Sequence, residues 1–285
     1  MEFTEGFDAT EPTHRLVTRN LSGVTDWDDL GSVTVENRAI SVLMDYGTVV
    51  HLGLDPNHAQ FETVQRELMQ VPDSKRIFVG SGHEFRASLP EDRPLIESLL
   101  EIPDGDTDGW TDRLFSVVEL AVLTNHSWLY RSVPHEAHIR EINAGGQEEV
   151  IEKLNETLAQ VQGSAVVPFG GVASWTAGGT TYDLKWDSLY CSDTEKSASY
   201  DLERLKQVIG LFSAGVLRLD WKPVSEGSLL GRMVWRVVDS ESATPPARVE
   251  IPTGEAGERI LDAFRQLRAE LGYEYAVETA SDQHP

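Results

Sequence analysis

The chain has 285 residues, 40% of them hydrophobic, so it is long enough to bury one large or two modest cores. Its formal net charge of −23 argues against a basic stripe of the kind that binds nucleic acid. The single cysteine, Cys191, excludes an internal disulfide framework, and no apolar run approaches the ~20 residues that a membrane span needs.

The charged residues are unusual in kind as well as in number. Only six of the 24 basic residues are lysines, against 47 acidic residues. This balance resembles that of salt-adapted cytosolic proteins of halophiles, whose carboxylates hold a hydration layer. An acidic mesophilic protein that uses its charge for solubility is the alternative. Because the acidic start of the chain is unlike a signal peptide, we expect a cytoplasmic protein, or a virion component assembled in the cytoplasm.

The first part of the chain is predicted to be rich in strands. Residues 1–13 should form a flexible acidic arm, since Phe3 and Phe7 are its only large apolar groups. Alternating apolar residues then predict strands at 15–21, 32–37, 39–45 and 48–54, the last two joined by a turn at Tyr46 and Gly47. A helix should follow from Pro56 to about Gln70, then two short strands across 75–89 and a helix at 94–101.

The middle of the chain contains the predicted boundary. An apolar stripe predicts a core helix at 110–123, and residues 125–143 have no clear period. Gly145 and Gly146 divide the chain into an N-terminal half, 14–145, and a C-terminal half, 146–279. A helix at 147–161 and strands at 164–169 and 172–177 are predicted to open the second half.

The pattern is clearest over residues 180–239. A strand at 180–188 should lead to a helix that starts at Ser199 and ends at Gly215, with an apolar stripe on one side. The stripe consists of Leu202, Leu205, Val208, Ile209 and Phe212. Two paired strands, 216–221 and 232–238, are expected next.

The last elements are a strand at 248–251, an amphipathic helix at 255–271, a strand at 273–278 and a disordered tail at 280–285. Helices interspersed with hairpin strands predict an α+β protein. We expect antiparallel or mixed sheets, helices packed mainly on one face, and two loosely similar halves.

One acidic loop is a candidate cation site. Asp104, Asp106 and Asp108 have the spacing of a calcium loop, and Asp112 falls at its ninth position. The loop resembles the EF-hand loop only in part, because Phe115 stands where that loop places a bidentate glutamate. We therefore favour a solvated acidic turn and expect no cofactor, and a weak Ca²⁺ site is the alternative.

A histidine cluster is the second candidate. His126, His135 and His138 could hold a transition metal together with a nearby acid. Zinc hydrolases place two histidines four residues apart on a helix, whereas His135 and His138 are three apart. Exposed histidines, or histidines satisfied within the core, are the alternative.

The sequence contains no nucleophile elbow, and Cys191 is followed by acids rather than by the electropositive setting that a reactive thiol needs. We therefore expect a non-catalytic assembly or adaptor protein with a protein partner or a second copy of the chain. It would be a subunit of a larger complex or virus particle of a halophile. A metal-assisted hydrolase that uses the histidine cluster is the alternative hypothesis.

The charge balance predicts that stability depends on salt. At about 1 M ionic strength the Debye length falls to roughly 3 Å, so the repulsion among surface carboxylates is screened. The thermal unfolding midpoint should therefore rise strongly between dilute buffer and about 2 M KCl. Circular dichroism melts at both salt concentrations check this, and an unchanged midpoint would favour the mesophilic alternative.

Overall fold

The computed structural model describes residues 4, 7, 10–19, 30–80, 82–100, 117–125, 127–134, 139–159, 161, 163–194, 196–223 and 244–280. These residues contain five α-helices and sixteen strands, most of them in antiparallel pairs, so the predicted α+β class is confirmed. The chain divides into two compact units, Met1–Phe169 and Gly170–Pro285. None of the helices in the described ranges is long and apolar enough to cross a membrane.

The first unit contains eight strands and four described helices. The strands are β1 His14–Thr18, β2 Val49–Leu54, β3 Met69–Gln70, β4 His83–Ser88, β5 Val117–Leu123, β6 Trp128–Ser132, β7 Arg140–Ile142 and β8 Ser164–Pro168. They form one sheet in the order β3-β4-β2-β5-β6-β7-β1-β8. The helices are α1 Leu30–Met44, α2 Phe61–Glu67, α3 Arg93–Leu100 and α4 Glu148–Leu158. The division after Phe169 lies beyond the boundary expected at Gly145, because β8 pairs along its whole length with β1.

The two faces of this sheet differ in chemistry. We call one of them the helix face, since its side chains form a continuous apolar core with residues of α1 to α4. Val50, Leu52, Phe85, Leu120 and Val122 belong to it, and all five are fully buried. Because side chains alternate along a strand, the residues between them point to the opposite face, which we call the far face.

Residues 30–44 form α1, where the sequence predicted two strands at 32–37 and 39–45. The run Val33-Thr34-Val35 is β-branched and favours an extended chain locally. Burial nevertheless follows a helical period, since Val35, Ala39 and Leu43 are four residues apart and all lie in the core. Gly47 therefore links a helix to β2, its backbone N–H donating to the Leu43 carbonyl at 3.0 Å.

The predicted helix at 110–123 is wrong for the residues that can be compared. Residues 110–116 lie outside the described ranges, and Val117–Leu123 forms β5 between β2 and β6. Leu120 and Val122 are buried on the helix face and Ala121 on the far face. A strand buried on both faces is apolar throughout, so its sequence lacks the alternation that would distinguish it from a helix. Strands β6 and β7 likewise lie in the stretch for which no regular element was predicted.

The described part of the N-terminal arm is packed against the unit. Phe7 is 9% exposed and joins Phe78, Ala121, Trp128 and Val133 in a small cluster on the far face. The backbone N–H of Thr4 donates to the carbonyl of Ile77 at 3.0 Å. Thr4 and Phe7 thus contact the unit, and burying an aromatic ring offsets the cost of ordering the chain. The flexibility expected for residues 1–13 stays a prediction.

The second unit contains two four-stranded sheets. The first, which we call the meander, has the order β12-β11-β10-β9, with β9 Ala173–Ala177, β10 Thr180–Leu184, β11 Ser188–Ser192 and β12 Ser197–Asp201. The second has the order β15-β14-β13-β16, with β13 Leu205–Leu211, β14 Val216–Trp221, β15 Arg248–Glu250 and β16 Ala276–Thr279. Helix α5, Glu255–Leu271, packs on this second sheet with Leu261 over Gly210 and Phe264 edge-on to Tyr275.

The predicted helix at 199–215 is also wrong. Ser199 lies in β12, and Leu205–Leu211 forms β13 after a short 3₁₀ turn at Leu202–Arg204. The register shifts by one residue between Leu205 and Gln207, so Leu205 faces Trp221 while Val208 faces Leu219. This bulge places Leu205 and Val208 on the same side of the strand although they are three residues apart, which gives a strand the spacing of a helix. The apolar stripe itself is buried as expected, apart from the partly exposed Phe212.

Most of the remaining elements agree with the sequence in kind, but of the two short strands expected across 75–89 only the second is present among the described residues, as β4. The structure contains the strands expected near 164–169, 172–177, 180–188, 216–221, 248–251 and 273–278, and the helices expected at 94–101, 147–161 and 255–271. The helix expected from Pro56 to Gln70 is shorter, because it spans Phe61–Glu67 and is followed by β3. The partner strand at 232–238 and the tail after Ala280 lie outside the described residues.

A buried ion pair joins α1 to the sheet. Arg140 of β7 lies with its Nε 3.3 Å from the Glu36 carboxylate, and the side chains of both residues are at most 1% exposed. The Tyr130 hydroxyl donates to the same carboxylate at 2.9 Å. Burial raises the pKa of Tyr130 well above its ordinary value, and the charge of Glu36 adds to that effect. The tyrosine therefore stays protonated and acts as a donor.

Removing one charge of this pair should destabilise the first unit. The substitution Arg140→Met leaves Glu36 buried without its countercharge, which typically costs about 3 to 5 kcal/mol. Arg66→Met, at the exposed pair between Arg66 and Glu67, should cost less than about 1 kcal/mol. Urea unfolding of both variants at constant high salt measures the difference, and equal losses would contradict this account of the pair.

Candidate functional site

Ionisable side chains are buried along the far face of the eight-stranded sheet. His51, Glu84, Glu119, Arg131 and Glu141 are each at most 8% exposed. Burying an ionisable group is costly unless it is paired, hydrogen-bonded or neutralised. The contacts of these five residues therefore show which groups are paired or hydrogen-bonded and which group can still bind or release a proton.

The strand register brings two acids to the same place. Gly53 of β2 is the cross-strand neighbour of Glu84 in β4 on one side and of Glu119 in β5 on the other. A Cβ atom at Gly53 would lie only 2.6 Å from Oε2 of Glu119. The absence of a side chain at Gly53 therefore lets the Glu119 carboxyl group lie over β2, toward Glu84.

Glu84 is the hydrogen-bonding centre of this cluster. Its Oε1 lies 2.6 Å from His51 Nδ1, and its Oε2 accepts from the backbone N–H groups of Ile77 at 3.1 Å and Phe78 at 3.2 Å. The guanidinium Nε of Arg76 lies 3.7 Å from the same oxygen. These contacts fasten residues 76–80, which we call the strap, onto the far face.

Arg76 also closes the strap on itself. Its Nη2 donates to the carbonyl oxygens of Gly80 at 2.8 Å and Gly82 at 2.5 Å. The planar guanidinium group carries five N–H donors, so Arg76 can bind two carbonyl oxygens and still lie beside a carboxylate. The strap therefore depends on the charge of Arg76 as well as on Glu84.

Glu119 differs from Glu84 because its carboxyl group is poorly satisfied. The residue is 2% exposed, and its Oε1 accepts no hydrogen bond from any residue that the structure describes. The pKa of Glu119 is raised to about 7, chiefly by burial; the charge of Arg76 lowers it and that of Glu84 raises it. Glu119 can therefore take up and release a proton near neutral pH.

The other buried charges on the far face are balanced. Arg131 and Glu141 are cross-strand neighbours with Nε and Oε2 2.6 Å apart, and Arg15 contributes a weaker contact to Glu141 at 3.9 Å. The Arg131 guanidinium lies 4.6 Å from the ring centre of Trp128 and 6.0 Å from that of Phe7. This cluster has a structural role, since it holds the arm residue against the sheet.

The meander of the second unit offers a different kind of surface. Its register aligns Trp175, Tyr182, Cys191 and Ala198 across the four strands on one face, and we call these four residues the meander row. Trp175 is buried at 6% exposure and stacks on Tyr182 at 5.3 Å, while the other three residues are partly exposed. The row therefore extends apolar surface from the interior to the edge strand β12.

Cys191 in this row is not a reactive thiol. Burial raises its pKa to about 11, and the charge of Asp183 adds to the effect. The thiolate needed for nucleophilic chemistry is therefore scarce at neutral pH. Cys191 contributes apolar surface, in agreement with the expectation from its acidic sequence neighbours.

The metal sites predicted from the sequence fall outside the described residues. Asp104, Asp106, Asp108 and Asp112 lie in the range 101–116, and His126, His135 and His138 are likewise outside. Both sites therefore stay predictions. In the part of the chain that the structure describes, no group of three or more histidine, cysteine or acidic side chains is arranged to hold a metal ion.

The acid cluster on the far face was not predicted. Its signal in the sequence was a glutamate inside an apolar run, Val117-Val118-Glu119-Leu120-Ala121, where a strand buried on both faces leaves no exposed position. Glu84 gave a weaker signal, because buried and exposed residues alternate along part of its strand. A glutamate in such a strand is usually one of the exposed residues. Only the register could show that the two acids flank the same glycine.

Comparison with known proteins adds no relative. No protein-family model matches the chain, and neither a curated protein nor a solved structure matches it. Function must therefore be inferred from the chain's own chemistry.

The raised pKa of Glu119 predicts a pH-dependent stability. A carboxyl group that binds its proton more tightly when folded stabilises the fold below its unfolded pKa of 4.5, and this stabilisation is lost as pH rises to about 7. Glu119→Gln, which stays neutral, should avoid that loss, which is on the order of 3 kcal/mol. Urea unfolding across this pH range compares the variant with the wild type.

The matched control is Glu62→Gln at an exposed position in α2. It should retain the wild-type dependence on pH. If Glu119→Gln and the wild type lost stability in parallel between about pH 4.5 and 7, Glu119 would not be the titrating group.

Proposed function

We propose that this chain is a non-catalytic assembly or adaptor protein that joins a larger complex through the meander. The observation that carries the proposal is the meander row, which leads from buried Trp175 to the partly exposed Ala198 in an edge strand. Partly exposed apolar surface that is continuous with a core is typical of a protein interaction site.

The edges of the meander support the same proposal. Strands β9 and β12 are its two outer strands, and neither pairs on its outer side with another strand of the described chain. The backbone groups of such an edge can pair with a strand of a partner. The partner would thus gain backbone hydrogen bonds along β12 and apolar contacts with the meander row.

The charge of the protein favours an interface of this kind. The four residues of the meander row are uncharged, whereas the chain as a whole carries −23. Two acidic surfaces repel each other, so an acidic protein associates best where its surface is uncharged. At about 1 M salt, long-range ionic attraction is screened and apolar contacts remain. The partner would be a second copy of the chain or another protein of a complex or virus particle adapted to high salt.

Two adjacent residues of β12 provide the test. Ala198 belongs to the meander row, and Ser199 points to the opposite face of the same strand. At about 2 M KCl, light scattering should report a multiple of the chain's mass for the wild type and for Ser199→Arg. Ala198→Arg should be monomeric, because a guanidinium group buried in the interface would lack a countercharge.

Wild-type protein that is monomeric under these conditions, or two variants that associate equally, would contradict self-assembly through this face. Urea unfolding of both variants is the control for folding. Equal stabilities would show that the arginine at position 198 acts on association and not on the fold.

A further inference from the structure

The far face of the first unit contains an acid whose environment is incomplete. Glu119 is 2% exposed, its Oε1 accepts no hydrogen bond from the described residues, and it shares Gly53 as a neighbour with the fully engaged Glu84. Such a group is expected to be neutral where it stands or to acquire a partner when it ionises. Loss of the proton from Glu119 should therefore displace the residues that contact its carboxyl group.

The strap is the element in direct contact with this carboxyl group. A Cβ atom at Gly80 would lie 2.2 Å from Glu119 Oε1, so the backbone at Gly80 rests on the carboxyl oxygen. Gly80 has no positive φ angle, and the glycine is therefore required by the lack of space rather than by backbone conformation. Val79 beside it is 56% exposed, so this end of the strap can move into solvent.

Several contacts that hold the strap involve one charged partner. The N–H groups of Ile77 and Phe78 donate to Glu84, and Arg76 donates to the carbonyls of Gly80 and Gly82. The Phe78 ring is buried with Phe7 and Trp128. Arg76 lies 3.7 Å from the Glu84 carboxylate, and its charge stabilises the ionised form of Glu119.

We propose that Glu119 is a proton-binding site that controls the strap: residues 76–80 lie closed on the sheet while Glu119 is protonated and are released when it ionises. The released proton goes to solvent. The new carboxylate lies beside Glu84 and attracts the Arg76 guanidinium away from the carbonyls of Gly80 and Gly82. Water then enters beneath Gly80 and solvates the charge, which the closed arrangement prevents.

The ionisable groups near Glu119 come from the strap and from strands β4 and β2, while Arg131 of β6 is paired with Glu141. Arg76 belongs to the strap, Glu84 to β4 and His51, hydrogen-bonded to Glu84, to β2. Glu84 opposes the ionisation of Glu119, whereas Arg76 favours it. Burial outweighs the charge of Arg76, and the pKa of Glu119 is raised to about 7.

Release of the strap is measured by hydrogen exchange of the Ile77 and Phe78 amides, corrected for the intrinsic effect of pH, at constant high salt. Because the pKa of Glu119 is about 7 in the closed state and 4.5 is the ordinary value for a solvated glutamate, the opening constant rises between these two pH values and then levels off. The protection of the two amides should therefore fall on the order of 50-fold between about pH 5 and pH 8.

Three variants make the result specific. Glu119→Gln should keep both amides protected at both pH values, and Glu62→Gln should follow the wild type. Gly80→Ala should be open already at about pH 5, because its Cβ collides with the carboxyl group. This third variant tests the proposal independently if glutamine at position 119 prevents folding.

The proposal is overturned if wild-type protection is the same at both pH values, or if Glu119→Gln loses it in parallel with the wild type. It is also overturned if Gly80→Ala remains as protected as the wild type at the lower pH. The measurement is independent of the meander, so its outcome does not depend on the proposed assembly function.

Discussion

The carboxylate of Glu84 is the interaction on which the far face of the first unit depends. A single buried anion receives two backbone N–H groups of the strap, lies within reach of His51 and attracts Arg76. Hydrogen bonds to a charged group are roughly twice as strong as neutral ones, and leaving such a group unsatisfied is more costly still. The strap, the small aromatic cluster under it and the arm residue Phe7 are therefore ordered together.

The same requirement explains how an acidic chain tolerates acids in its interior. Glu36 and Glu141 are each matched by an arginine, and Glu84 is satisfied by donors from several elements. Glu119 is the exception among these four, because burial raises its pKa enough for the neutral form to persist close to neutrality. Three of these four interior acids are thus paired or hydrogen-bonded, and the fourth, Glu119, is neutral below about pH 7 because it holds a proton.

The second unit follows a different construction. Its buried apolar side chains come from α5, from the sheet that contains β13 to β16 and from the meander. The two outer strands of the meander have no neighbouring strand among the described residues. A sheet with free edges and a partly exposed apolar row is usually protected by charge or covered by a partner. The meander row has no charge, and this is why the assembly proposal places the interface there.

The sequence by itself determined the α+β class, the helices at 94–101, 147–161 and 255–271, and the strands with clean alternation such as Val216–Trp221. Each of these elements has one buried and one solvent-exposed side, so the periodic spacing of its apolar residues is visible in the sequence. The tertiary structure decided the rest. β5 is buried on both faces and has no period, the bulge in β13 gives strand residues a helical spacing, and α1 carries a β-branched run whose burial depends on the sheet beneath it. The acid cluster was beyond prediction for a related reason: Glu84, Gly53 and Glu119 come from separate strands, and only their pairing register places them side by side.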